Sequence, residues 1–188
     1  YPEGLVACVS DSYNIYDACD KIWGQELKND VLQRKGTLVV RPDSGKPSEV
    51  VLKVMEILGS RFSSETNAKG YKVLHPNVRV IQGDGVDYDS IREILSVLKQ
   101  HGWSADNIAF GMGGALLQKL DRDTQKFAFK CSAAVVGGEE RDVFKQPITD
   151  SGKNSKRGRL KLIHSAQGSF TTVASTNEGT DILQTVFE

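Results

Sequence analysis

The chain has no surplus of charge of either sign: 24 Lys and Arg balance 24 Asp and Glu over 188 residues. With no global field to draw it toward polyanions, nucleic acid and anionic membranes are not expected partners, and a ligand must be argued from a local site. Long apolar runs are also missing. None approaches the roughly 20 residues that span a bilayer, and no charged start with a small-residue cleavage site is present, so a soluble, cytoplasmic protein is expected. Cysteine is scarce and odd in number. Cys8, Cys19 and Cys131 form no metal-ligand pair and suggest no disulfide framework; Cys8 and Cys131 sit in apolar stretches where core packing is the expected role. The chain also lacks a Ser/His/Asp order, zinc spacing, a Walker loop and basic residues interleaved with aromatics. His75, His101 and His164 lie away from the carboxylate-bearing loops, so none is a candidate catalytic base. Tyr1 rather than Met stands first and a strand begins almost at once, so upstream sequence is expected to precede it.

What is present is a repeated pattern. Val6-Ala7-Cys8-Val9 runs into Ser10-Asp11-Ser12, Leu38-Val39-Val40 into Arg41-Pro42-Asp43-Ser44-Gly45, and Val78-Arg79-Val80-Ile81 into Gly83-Asp84-Gly85-Val86-Asp87. Ile108-Ala109-Phe110 likewise meets Gly111-Met112-Gly113-Gly114. Segments of helical periodicity follow: Ile15, Ala18, Cys19 and Ile22; then Val51, Val54, Met55 and Leu58 after Pro47; then Ile91, Ile94, Leu95 and Leu98. Ser90 and Glu93 fit a capping box for the third, and a short fourth helix is expected from about Ala115 to Leu120. Phe127 to Val136 reads as a further strand leading to Gly137-Gly138. Strand, loop and helix units at this spacing predict an α/β fold with a parallel sheet, whose carboxyl-terminal edge is where ligands bind. About five units fit. A closed eight-stranded barrel takes about 250 residues, so the chain would supply part of one.

Residues 1–150 are read as this barrel portion, with 60–76 as an irregular surface excursion. Residues 151–188 differ: a basic loop, Lys153-Asn154-Ser155-Lys156-Arg157-Gly158-Arg159, precedes an antiparallel hairpin built from Leu160–Ile163 and Phe170–Val173. A C-terminal helix completes the expected β-rich appendage.

Asp11, Asp43, Asp84 and Asp87 should share one rim. Clustered carboxylates there can accept ribose hydroxyls, hold Mg²⁺ directly or through water, and stabilise a developing cation. Each alone also reads as turn chemistry, since Pro-Asp-Ser-Gly and Asp-Gly are good turn sequences. Gly111, Gly113 and Gly114 before a helix let backbone N–H groups approach a phosphate, and Arg122 can add a charged fork; a tight turn with a solvated Arg122 is the alternative. Arg41, at a strand end, can stack on a planar ring or grip a phosphate. The basic loop is either a phosphate contact or a solvated turn.

Taken in order, Ser10-Asp11-Ser12-Tyr13, Arg41–Gly45, Val80–Asp87, Phe110–Gly114 and Lys156–Arg159 resemble, along nearly the whole chain, the C-terminal part of the nicotinamide phosphoribosyltransferase family. The resemblance implies a partial (β/α) barrel of the type II phosphoribosyltransferase kind joined to a β-rich domain. It implies transfer of phosphoribosyl from phosphoribosyl pyrophosphate to nicotinamide, giving nicotinamide mononucleotide and pyrophosphate in NAD salvage. Mg²⁺, ATP as a coupled co-substrate and a homodimer come with it. By that similarity Asp11 and Asp43 are the catalytic carboxylates beside ribose and Mg-pyrophosphate, and Gly83 and Asp84 hold ribose hydroxyls. Arg41 meets the nicotinamide and phosphate region, Gly113, Gly114 and Arg122 bind the 5′-phosphate, and Lys130 and Lys153 face pyrophosphate or phosphate. Met112 stands where several relatives have serine. The family's catalytic histidine and amide-reading aspartate lie upstream of the matched region, so the isolated chain is expected to be inactive. Nicotinate phosphoribosyltransferase and a non-catalytic ribose-phosphate-binding module are the alternatives.

Overall fold

The computed structural model describes residues 1–113, 128–165 and 168–185. The chain divides into two units, Tyr1–Phe127 with Pro147–Lys153, and Ala128–Gln146 with Asn154–Glu188. This division does not coincide with the expected boundary at residue 150: residues 128–146, read as barrel, fall in the second unit, and residues 151–153, read as appendage, return with 147–150 to the first.

In the first unit, β1 (Glu3–Val9), β2 (Lys35–Arg41), β5 (Val78–Gln82) and β6 (Ile108–Phe110) make a parallel sheet in the order β1-β2-β5-β6. Val9 is level with Arg41, Val40 with Val80, and Gln82 with Phe110, so the four strand ends and their loops lie along one edge. Alternation along β2 and β5 buries Leu38, Val40, Val78 and Val80 on one face. That face packs on Val51, Val54, Met55 and Leu58 of α3 (Pro47–Phe62) and on Ile94 and Leu98 of α4 (Tyr88–Gln100). Fully burying each such side chain contributes about 1.5–3 kcal/mol.

Between β1 and β2 the chain forms α1 (Ile15–Asp17), capped by Asn14, whose Oδ1 accepts from the N–H groups of Tyr16 and Asp17 at 3.0 and 3.1 Å. It widens into a π-helical stretch, Ala18–Glu26, before α2 (Lys28–Gln33). This changes the predicted stripe. Ile15 and Cys19 are buried, but the wider turn, seen in the Leu27 N–H donating to the Ile22 carbonyl at 2.8 Å, carries Ile22 out to 43% exposure. Gly24 is needed in that stretch because a Cβ there would lie 2.6 Å from the Arg61 stem.

α4 also begins differently from expectation. Asp87 is its N-cap, accepting from the Ser90 N–H at 2.9 Å while Ser90 Oγ accepts from the Asp87 N–H at 2.8 Å. Glu93 instead reaches α3, accepting from Ser48 Oγ at 2.6 Å. The excursion before β5 is ordered rather than irregular: β3 (Ser64–Thr66) and β4 (Lys72–Leu74) pair antiparallel. Asn107, fully buried, anchors it by accepting from the Leu74 N–H at 2.7 Å and donating to the Lys72 carbonyl at 2.9 Å.

In the second unit, β7 (Ala133–Val136) pairs antiparallel with β8 (Glu139–Asp142) across Gly137-Gly138, both at positive φ as a two-residue hairpin turn requires. The strand expected over 127–136 is thus shorter and belongs to a hairpin, not to the parallel series. β9 (Leu160–His164) and β10 (Phe170–Ala174) form the anticipated second hairpin. No helix occurs over 175–185, so the C-terminal helix has no counterpart among the described residues. The helix expected at 115–120 lies outside them. Among the described residues no helix is long and apolar enough to cross a membrane.

Candidate active site at the carboxyl edge of the parallel sheet

Because parallel strands all run one way, the loops after β1, β2, β5 and β6 emerge together, and backbone bonds knit them in pairs. The Ser10 N–H donates to the Arg41 carbonyl at 3.2 Å and the Gly111 N–H to the Gln82 carbonyl at 2.9 Å. At the first loop Asp11 is only 1% exposed. A buried carboxylate needs donors, and Asp11 Oδ2 accepts from the Asp43 N–H at 3.1 Å and from Ser44 Oγ. Ser44 Oγ in turn shares a hydrogen bond with the Thr149 hydroxyl.

Thr149 belongs to the returning segment 147–153, which is fastened to this edge at three points. Besides Thr149, the Ile148 N–H donates to the Tyr13 carbonyl at 2.8 Å, and Lys153 Nζ donates to Asp84 Oδ2 and to the Asp43 carbonyl. Gly45 allows the approach. It has φ +82°, and a Cβ there would lie 2.9 Å from both Thr149 Cβ and Val50 Cγ2.

Arg41 donates from Nη2 to Asp43 Oδ1 at 3.2 Å, and its guanidinium lies beside Gly83, 3.4 Å from where a Cβ would be. Its buried Nε has no hydrogen-bond partner among the described residues. Gln82 Nε2 donates to the Asp84 carbonyl at 2.7 Å, while its buried Oε1 has no partner among the described residues.

The structure therefore brings together Asp11, Arg41, Asp43, Gly83, Asp84 and Lys153, with Gly113 in the loop after β6. Lys130 is an exposed residue of the second unit, and Gly114 and Arg122 lie outside the described residues. Asp87, at the end of the loop after β5, is the N-cap of α4. Ser44, Thr149 and Gln82 were not singled out in the sequence. Gln82 carried a signal: on β5 it shares the inward face with Val78 and Val80, where a polar side chain is out of place. Ser44 and Thr149 carried none beyond turn composition.

Elsewhere the histidines have local partners. His75 Nδ1 accepts from the Asn77 N–H at 3.3 Å, His101 Nδ1 lies 2.9 Å from the Val97 carbonyl, and His164 packs edge-on against Phe170. In the basic loop Arg159 pairs with Glu140, and Arg157 lies 5.4 Å from the Phe144 ring.

Among the described residues no three His, Cys, Asp or Glu side chains form a metal cage. Mg²⁺ does not require one. It is commonly held by one or two carboxylates with substrate phosphates and water, and a rim with Asp11 and Asp43 fits that donor set.

A family model described as the nicotinate phosphoribosyltransferase family matches residues 4–188. The chain is 51% identical, over its whole length, to a nicotinamide phosphoribosyltransferase of Xanthomonas campestris pv. campestris, of which it covers 41%. It is 39% identical over 85% of its length to a protein of that name from Mycoplasma pneumoniae, covering 38% of it. A third, from Acinetobacter baylyi, is 33% identical across the whole chain, which covers 41% of that protein. The chain thus spans about two fifths of the curated relatives it matches.

Proposed function

The chain belongs to the nicotinate phosphoribosyltransferase family, and from that premise we propose that it forms the ribose-phosphate portion of an enzyme that makes nicotinamide mononucleotide and pyrophosphate from nicotinamide and phosphoribosyl pyrophosphate, a step of NAD salvage. The observation that carries this reading is the convergence on one sheet edge of Asp11, Arg41, Asp43, Asp84 and Lys153 from segments far apart in the chain. Nicotinamide is preferred to nicotinate as acceptor because the relatives at 51%, 39% and 33% identity bear the nicotinamide name.

In this reaction the bond between the ribosyl carbon and pyrophosphate breaks while the pyridine nitrogen bonds to that carbon. Positive charge grows on the sugar and negative charge on the leaving group. Asp11 and Asp43 stabilise the first, and because Asp11 is already fixed by its donors it needs little reorganisation as that charge develops. Gly83 and Asp84 hold the ribose hydroxyls. Arg41 stacks on the pyridine ring or meets the phosphates. Lys153 and Lys130 offset pyrophosphate charge, and Gly113, Gly114 and Arg122 take the 5′-phosphate. Asp11 and Asp43 would hold Mg²⁺ directly or through water, and the bound ion would neutralise charge on the pyrophosphate. The reading extends to a partial type II phosphoribosyltransferase barrel, ATP coupling, a homodimer and a cytoplasmic setting.

The test is mononucleotide formation by the full-length protein carrying this chain, given nicotinamide or nicotinate with phosphoribosyl pyrophosphate, Mg²⁺ and ATP. Product from nicotinamide is expected, and none from the 188-residue chain alone. Product only from nicotinate would move the assignment to the sister activity. Mononucleotide binding without turnover of either would leave a non-catalytic binding module.

A further inference from the structure

On β5 the inward positions are Val78, Val80 and Gln82. The first two pack in the apolar core; the third is an amide that is 2% exposed. Among the described residues its side chain makes one hydrogen bond, from Nε2 to the Asp84 carbonyl at 2.7 Å, and leaves Oε1 buried and unpartnered. An orphaned buried acceptor lowers stability and calls for an explanation. An apolar side chain of similar shape would avoid that cost, and the strand's own ladder does not need the amide, because the Gln82 backbone carbonyl already accepts the Gly111 N–H at 2.9 Å.

What the amide adds is a hold on one peptide. The Asp84 carbonyl belongs to the Asp84–Gly85 linkage, and Gly85 stands at φ +64° with nothing within 4 Å of where a Cβ would be. Neither a side chain nor packing at Gly85 restrains that peptide plane, and glycine permits its rotation. Asp84 itself carries the carboxylate that pairs with Lys153.

We infer that Gln82 is a positioning residue: it pins the Asp84–Gly85 peptide so that the Asp84 carboxylate is presented to the ribose hydroxyls and to Lys153. This rests on the ribose-binding reading of Asp84 given above. The role assigned to Gln82 is indirect: it trades stability for the orientation of the Asp84 carboxylate.

The test uses the full-length protein with Gln82→Met, which keeps length and removes the amide, and Gln82→Asn, which keeps the amide on a stem too short to reach the Asp84 carbonyl. The expected result is a KM for phosphoribosyl pyrophosphate raised about tenfold in both, as for loss of one well-placed hydrogen bond. The KM for nicotinamide should stay within about twofold on the same reasoning, and Tm of Gln82→Met should hold or rise. An unchanged KM for phosphoribosyl pyrophosphate in folded variants overturns the inference. So does a loss of Tm in Gln82→Met with both KM values rising together, which is the mark of a merely structural residue. Should Gln82→Met fail to fold, the role is structural if Gln82→Asn folds with normal kinetics, and positional if Gln82→Asn shows the selective KM rise. If the wild-type protein makes no mononucleotide, the functional reading fails, and calorimetric binding of ribose 5-phosphate decides the inference by itself. About tenfold weaker binding by the variants supports it, equal binding overturns it, and no binding by the wild-type protein overturns both.

Discussion

Asp11 combines burial with an acceptor set already in use, and that combination separates a held carboxylate from a turn residue. Asp11→Asn preserves volume and one acceptor while removing the charge, so folding should survive. In the full-length protein kcat is expected to fall about 10²-fold, as when one preorganised electrostatic contact is lost, with Tm little changed; an unaltered kcat would take Asp11 out of the reaction. A second residue reports on stability. Burial, with a smaller contribution from Asp20, pushes the Cys19 thiol from 9.0 up to about 12. The unfolded thiol ionises at the lower value and the folded one at the higher, so above pH 9 the unfolded state binds fewer protons. The contribution of Cys19 is therefore complete below pH 9 and declines as pH rises toward 12. Denaturant titrations from pH 8 to 11 should show this alkaline loss, flattened in Cys19→Ala; parallel profiles would refute it.

At the scale of elements, periodicity located α3 and α4 correctly and misjudged how they begin and what lies beside them. The stripe Ile91, Ile94, Leu95 and Leu98 marks the inward face of α4, but the reciprocal Asp87–Ser90 cap rather than Ser90 with Glu93 starts it. Asp87→Ala should cost about 1 kcal/mol, the usual worth of an N-cap, read as a fall in the denaturation midpoint; no change would mean that water replaces the cap. The π-helical stretch at Ala18–Glu26 was invisible beforehand, because a one-residue widening of a turn leaves composition untouched and only moves Ile22 off the buried stripe. Likewise the 60–76 segment reads as polar loop, yet a buried amide, Asn107, supplies the hydrogen bonds that make its hairpin worth forming.

For the molecule as a whole, the order β1-β2-β5-β6 leaves β1 with one unpaired edge among the described residues. Its Leu5 and Val9 are 78% and 45% exposed. An edge strand that presents apolar side chains and open backbone groups is a template for association. The isolated chain should therefore self-associate as its concentration rises, and Leu5→Lys should reduce this in light scattering without changing the far-ultraviolet circular dichroism. Equal scattering from both would place the sticky surface elsewhere.

The sequence by itself determined the strands β1, β2, β5 and β6, the helices α3 and α4 with their inward stripes, the four polar loops at strand ends, and through its motifs the family. These are local properties, set by a period of two or of 3.6 residues and by turn chemistry. Only the tertiary structure decided which groups meet. Thr149 reaches Ser44 across 105 residues, and Lys153 reaches Asp84 across 69. Such pairings depend on strand order, register and the return of residues 147–153 to the first unit. Those are set by long-range packing, and no local pattern encodes them.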